Sequence, residues 1–156
     1  MGEPKTFLVT AEPLGREAFA PFGQVIDSGD MTMELGEGEE FHLNVLSYQR
    51  KPLRCDHLNR HHKATQALVP LAGRPALVVV APPELDFSSE EHLAGVRAFI
   101  MDGTAGINLA LHVWHWGPYP LMDRVDLVNV QGRYFASDNE VAHLERDLGV
   151  VVEVKL

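Results

Sequence analysis

Cysteine is almost absent from this sequence: Cys55 is the only one. One thiol can form neither an intrachain disulfide nor a cysteine-rich metal site, and a reducing cytoplasm is the compartment it suits. Long apolar runs are missing too. The longest strongly apolar stretch, Ala76 to Ala81, falls far short of the roughly 20 residues of a membrane span, so no membrane partner is expected. The opening residues, Met1 to Thr10, lack the basic start and long apolar region of a secretion signal. Positive charge is scarce, with 13 Lys plus Arg against 22 Asp plus Glu and a formal net charge of −9. That excess repels phosphate backbones, and no run of Lys or Arg offers a local exception, so no nucleic-acid partner is expected either. A glycine-rich phosphate loop and a nucleophile elbow are both lacking, which argues against phosphoryl transfer and serine hydrolysis. Asp56 adjoins Cys55 and disfavours its thiolate, so the thiol is a poor nucleophile.

What the chain does have is apolar material in short pieces. Its 156 residues are 46% hydrophobic, enough for one globular domain spanning residues 1–156. Seventeen valines fall in short runs separated by Gly, Pro and Asp, the texture of many short strands. Strands are predicted at Thr6 to Val9, Gln24 to Asp27, Phe41 to Leu46, Thr65 to Pro70, Ala76 to Ala81, Val96 to Ile100, Gly106 to Leu111, Arg124 to Val130 and Val150 to Val154. Turn signals separate several of them, at Gly73, at Gly103 with Gly106, and at Gly132. A short helix is expected over Gly15 to Ala20 and another over Glu140 to Asp147, capped by Ser137 or Asp138. A turn of helix is expected near Ser88 to Leu93, and an exposed loop or bulging hairpin over Ser28 to Glu40. About nine strands in so short a chain point to a mainly β barrel or jelly roll with a few short helices. Inward-facing polar side chains on its strands are then the place to look for chemistry.

Histidine is plentiful, with eight in the chain. His57, His61 and His62 form one cluster, and His112 and His115 another. If the first stretch is extended, His57 and His61 share a face while His62 points the other way. Two imidazoles from one strand and one from another suit a divalent metal, with His57, His61 and His115 as candidate ligands. The competing reading makes His57 and His62 solvated loop residues and His115 a satisfied core or rim histidine. Arg97 interrupts an apolar strand, and its planar fork could hold a small carboxylate by two parallel hydrogen bonds, or it could simply face solvent. Gln66 and Asn108 are neutral amides in apolar runs, able to orient a urea-like group or to cap a turn.

Several separated motifs together carry a resemblance. Thr65 to Gly73 (TQALVPLAG), Ala76 to Ala81 (ALVVVA), Arg97 to Ile100 (RAFI) and Gly106 to His115 (GINLALHVWH) are similar, in order and spacing, to the ureidoglycolate lyase family. Pro13 to Asp27 (PLGREAFAPFGQVID) resembles its opening segment, so the likeness runs from about Pro13 to Asn129. The resemblance implies a cupin-type double-stranded β-helix, or jelly-roll barrel, usually a homodimer. It also implies cleavage of ureidoglycolate, a small carboxylate, to glyoxylate and urea late in purine and allantoin breakdown. Corresponding site residues are His61, Gln66, Arg97, Asn108 and His115. On that basis Arg97 would bind the carboxylate and His115 or His112 would remove the hydroxyl proton. His61, directly or through a metal-bound water, would assist departure of urea, and Gln66 and Asn108 would hold the urea amide. The chain departs from the family pattern at Asn59, where a carboxylate is usual. It departs again at Ala110, Leu111 and Trp116, which stand for His, Arg and a second His. The alternatives are a cupin without this activity that binds or transforms a different small carboxylate, as sensor or as enzyme of another class, and a structural or partner-binding module with a filled interior.

Overall fold

The computed structural model describes residues 2–156. Its strands are β1 (Lys5–Thr10), β2 (Glu12–Pro13), β3 (Gly23–Ile26), β4 (Phe41–Gln49), β5 (Arg54–Cys55), β6 (His57–His61), β7 (Gln66–Pro70), β8 (Ala76–Ala81), β9 (Arg97–Met101), β10 (Gly106–Leu109), β11 (Trp114–Pro120), β12 (Arg124–Gly132), β13 (Asn139–His143) and β14 (Val150–Lys155). Two short helices, α1 (Arg16–Phe19) and α2 (Leu144–Leu148), and two 3-10 turns, Glu90–Gly95 and Phe135–Ser137, complete it.

The strands make three sheets. A five-stranded sheet runs β3-β10-β7-β12-β4, a six-stranded sheet β13-β6-β11-β8-β9-β2, and a three-stranded sheet β1-β14-β5. The first two face each other as the expected mainly β jelly-roll barrel. Between them lies one apolar core, with Val78, Val80, Phe99 and Met101 from the six-stranded sheet against Val25, Leu68, Ile107, Leu109, Val125 and Leu127 from the five-stranded one. A second core lies on the outer face of the six-stranded sheet. There Leu77, Val79, Ala98 and Trp114 pack against Val150 and Val152 of β14 and Leu144 of α2. Strand β8 is therefore buried on both faces, which is why Ala76 to Ala81 is apolar throughout instead of alternating.

Two expectations need correction. The stretch Glu140 to Asp147 is not one helix: its first part is strand β13, and α2 begins only after His143, which occupies the N-cap position without a side-chain bond. β13 pairs with all of β6, from Asn139 opposite His61 to His143 opposite His57, and that ladder outweighs the helical preference of a few residues. The strand expected through Leu111 stops at Leu109, and a turn feeds β11, which the Gly117 and Pro118 breakers had hidden. The sequence reading also missed the short strands β2, β5 and β6. The loop over 28–40 lies as expected outside the strands, touching the barrel through a bridge from Leu35 to Ala64.

Candidate active site

Inward positions along the barrel change character from one end to the other. On β12, Val125 and Leu127 belong to the inner core, whereas the next residues on the same face, Asn129 and Gln131, are buried and polar. On β7, Leu68 is apolar and Gln66 polar. The polar end holds a cavity of about 490 Å³ whose lining includes His57, Asn59, His61, Gln66, His115 and Gln131. Tyr48, Trp116 and Phe135 supply aromatic walls, and the lining carries no Asp, Glu, Lys or Arg.

Alternation along β6 puts His57, Asn59 and His61 on one face, and the intervening Leu58 is fully buried in the outer core. His115 on β11 stands opposite Asn59, so it joins the same face between the two histidines of β6. The His61 and His115 rings lie 5.3 Å apart between centroids. His115 Nδ1 donates to the Val113 carbonyl at 3.1 Å, and a carbonyl can only accept, so Nε2 carries the lone pair. Burial first, and His61 second, push the His115 pKa down to about 4. Burial also lowers that of His61, against the opposing pull of Asp138. His57 differs: its Nδ1 is 2.6 Å from Asp56 Oδ1, and its ring lies 4.0 Å from that of Trp116. That hydrogen bond holds the Asp56 carboxyl below its ordinary value.

Gln66 Nε2 donates to Asn129 Oδ1 at 2.8 Å, and Asn129 Nδ2 to Asn44 Oδ1 at 2.8 Å. This chain of amides leaves Gln66 Oε1 buried without a partner, and His61 Nδ1 is in the same condition. A buried polar atom without a partner costs about 1–3 kcal/mol. Two of them in one cavity lining describe a surface shaped for a polar ligand.

Three residues expected at the site lie elsewhere. Arg97 is in register with Val80 and through it with His115, but Val80 stands between them. Its fork is held by Glu12, with Nε 3.0 Å from Oε2 and Nη2 2.5 Å from Oε1, and it lies over the rings of Phe22 and Phe99. Asn108 alternates with the inner residues Ile107 and Leu109. It sits on the opposite face of its sheet, where Nδ2 donates to Gln24 and to the Thr32 carbonyl. His112 stands in the turn before β11 with its Nδ1 2.6 Å from that of His62, outside the cavity. The metal candidates His57, His61 and His115 share the cavity. Among the described residues, however, no three His, Cys, Asp or Glu side chains converge as a metal-binding group. Nδ1 of His57 and of His115 is engaged, so either ring could offer a metal only its Nε2.

Asp56, Asn59, Trp116 and Gln131 were not anticipated as site residues. The signal for Gln131 and Asn129 was present, as two polar residues in phase with the inward Val125 and Leu127. For Asp56 there was none, because it lies in the bend before β6. Cys55 is buried, and burial pushes its thiol up to about 12, which agrees with a non-nucleophilic role. Among the described residues no helix is long and apolar enough to cross a membrane.

Comparison with known proteins bears on this site. A family model described as ureidoglycolate lyase matches residues 31–153. A ureidoglycolate lyase of Burkholderia mallei (strain NCTC 10229) is 37% identical over 128 residues, covering 69% of this chain and 72% of the relative. Ureidoglycolate lyase 1 of Rhizobium meliloti (strain 1021) is 35% identical over 135 residues, covering 74% and 75%. A ureidoglycolate lyase of Pseudomonas fluorescens (strain Pf0-1) is 34% identical over 143 residues, covering 78% and 83%. Among solved structures, RmlC from Streptococcus suis in complex with dTDP-D-xylose aligns with a TM-score of 0.44 and 18% identity, over 61% of this chain and 45% of that one. With the family model spanning most of the chain and these relatives aligned over more than two thirds of it, the chain belongs to the ureidoglycolate lyase family.

Proposed function

We propose that the chain splits the carbon–nitrogen bond of ureidoglycolate, releasing glyoxylate and urea, as an amidine-lyase type of carbon–nitrogen lyase. The observation that supports it most is the pair of partnerless buried atoms, His61 Nδ1 and Gln66 Oε1, in one cavity lining. A ureido group brings N–H donors and a carbonyl acceptor at close spacing, and Gln66 Oε1 is an acceptor waiting for such a donor.

The substrate carries a hydroxyl and a ureido nitrogen on one carbon. Cleavage removes the hydroxyl proton, turns C–O into C=O, sends the C–N electron pair out with nitrogen, and puts a proton on that nitrogen. One imidazole can take the first proton and return it as the second, provided its charged form is stabilised between the two steps. Of the three cavity histidines only His57 has a carboxylate on its ring, so we assign it the proton and Asp56 the support of the imidazolium. His115, held neutral by burial, is suited to accept a hydrogen bond through Nε2 and not to carry charge. His61 and Gln66 bind the ureido end. The departing group then leaves with its proton and no net change on the protein.

Release of glyoxylate and urea from racemic ureidoglycolate by purified protein, against a blank for spontaneous breakdown, tests the reaction. Turnover at the blank rate would sink it in favour of a different small carboxylate. Repeating the assay with chelator tests metal dependence separately. We also propose a cytoplasmic homodimer. Its support is the exposed, apolar outer edge of β4, where Leu43 is 64% and Val45 53% accessible, and light scattering in solution would decide it.

A further inference from the structure

Ureidoglycolate is an anion, yet the cavity lining contains neither lysine nor arginine, and Arg97 is already engaged by Glu12. A carboxylate drawn into a cavity whose polar lining is neutral gives up hydration without meeting an opposite charge. One cation stands against those walls. The Lys51 Nζ lies 5.4 Å from the ring centroid of Tyr48, 5.5 Å from that of Trp116 and 4.8 Å from that of Tyr119. Tyr48 and Trp116 both line the cavity. Ring faces attract an ammonium but accept its N–H bonds only weakly, so three aromatic neighbours fix its position and leave its donors free for an anion. Lys51 takes part in none of the ion pairs found among the described residues.

Position agrees with charge. Trp116 has the His57 ring 4.0 Å away and the Lys51 ammonium 5.5 Å away, so the two groups flank one indole. The hydroxyl and the carboxylate of the substrate sit on adjacent carbons, and the groups that handle them must likewise be neighbours. We propose that Lys51 binds the substrate carboxylate, reaching it between Tyr48 and Trp116, and thereby selects small anions. This inference deepens the lyase reading and rests on it for the identity of the anion.

The test compares wild type with Lys51→Met and Lys51→Arg, measuring KM and kcat on ureidoglycolate and, by calorimetry, the Kd of glyoxylate. A lost charge-assisted contact predicts a rise in KM and Kd of about 10- to 100-fold for Lys51→Met with kcat little changed, and partial recovery in Lys51→Arg. Unchanged KM and Kd in a folded Lys51→Met, checked by circular dichroism, would overturn the proposal and leave the lysine as a packing group. The glyoxylate arm separates the two readings. Wild type that binds glyoxylate through Lys51 but cleaves no ureidoglycolate refutes the lyase and keeps the anion site. Wild type that does neither refutes both.

Discussion

His61 and His62 are consecutive residues, and the strand puts them in different worlds. His61 faces the barrel, buried, with Nδ1 unpartnered and its pKa lowered by burial. His62 faces out, where Nε2 lies 2.8 Å from Glu140 Oε2, Nδ1 lies 2.6 Å from His112, and Arg60 binds the same carboxylate. In the outer group both ring nitrogens of His62 and both carboxylate oxygens of Glu140 have found a neighbour in the protein. The inner group is left incomplete at the atoms that face the cavity. Histidine count therefore says little about chemistry here, and unmet hydrogen-bonding capacity says a good deal. The comparison can be broken or sharpened by substitutions on either side.

The largest effect is expected at His57. His57→Ala should lower kcat by about 10²- to 10⁴-fold, the range typical of a lost general acid or base. Asp56→Asn should fall in the same direction by a smaller factor, because the amide still meets Nδ1 but no longer supports the imidazolium. Activity within threefold of wild type in His57→Ala would move the proton to His115 or His61. That outcome would also empty the inner group of its distinguishing member.

Next comes a difference in acid stability. His115 has a folded-state pKa of about 4 against an ordinary 6.5, so the unfolded chain binds the proton more readily. Stability linked to this group is complete above about pH 6.5 and is lost as pH falls towards 4, by on the order of 3 kcal/mol. Urea unfolding at pH 7 and at pH 4.5 measures it. His115→Gln, which cannot titrate, should show a flatter dependence than wild type. Parallel slopes would mean that His115 titrates alike in the folded and unfolded chains, so that burial does not hold the ring neutral.

Much of the inner face could be read from the chain alone. No strand is expected over β6, yet alternation in an extended stretch puts His57 and His61 on one face, and in β6 they share it. The barrel was legible in the same way, since strands such as Ala76 to Ala81 are set by apolar runs between breakers. What escaped depends on contacts distant in sequence. Glu12 reaches Arg97 across 85 residues, and no local pattern marks a glutamate as the partner that removes an arginine from a site. β13 was read as helix because its pairing with β6 joins residues about 80 positions apart. His112 was a plausible site residue until the turn before β11, where its φ is +69°, sent it outward.

Arg97 gives the third prediction. Its pair with Glu12 is about one-third exposed on each side, and its guanidinium lies over two phenylalanine rings. Arg97→Ala should cost about 1–2 kcal/mol of stability in denaturant unfolding, after allowance for solvent screening, and leave KM for ureidoglycolate within about twofold. A loss of turnover in a folded variant would restore Arg97 to the site and show that Glu12 releases it when substrate arrives.

The smallest effect is expected on the outer face. His62→Ala removes a ring that is 37% exposed and opens its contacts with Glu140 and His112, yet Arg60 still holds Glu140 and water can replace the imidazole. Exposed ion pairs of this kind contribute about 0–1 kcal/mol, so stability should change within that range and kcat/KM within about twofold. The backbone argues the same way: His112 N donates to the His61 carbonyl at 2.8 Å, a bond that the His62 side chain does not make. Should kcat/KM nonetheless fall tenfold, the outer circuit would be setting the position of His61 through that carbonyl. The outer circuit and the inner face of β6 would then have to be treated as one device, coupled through the backbone that joins His61 to His62.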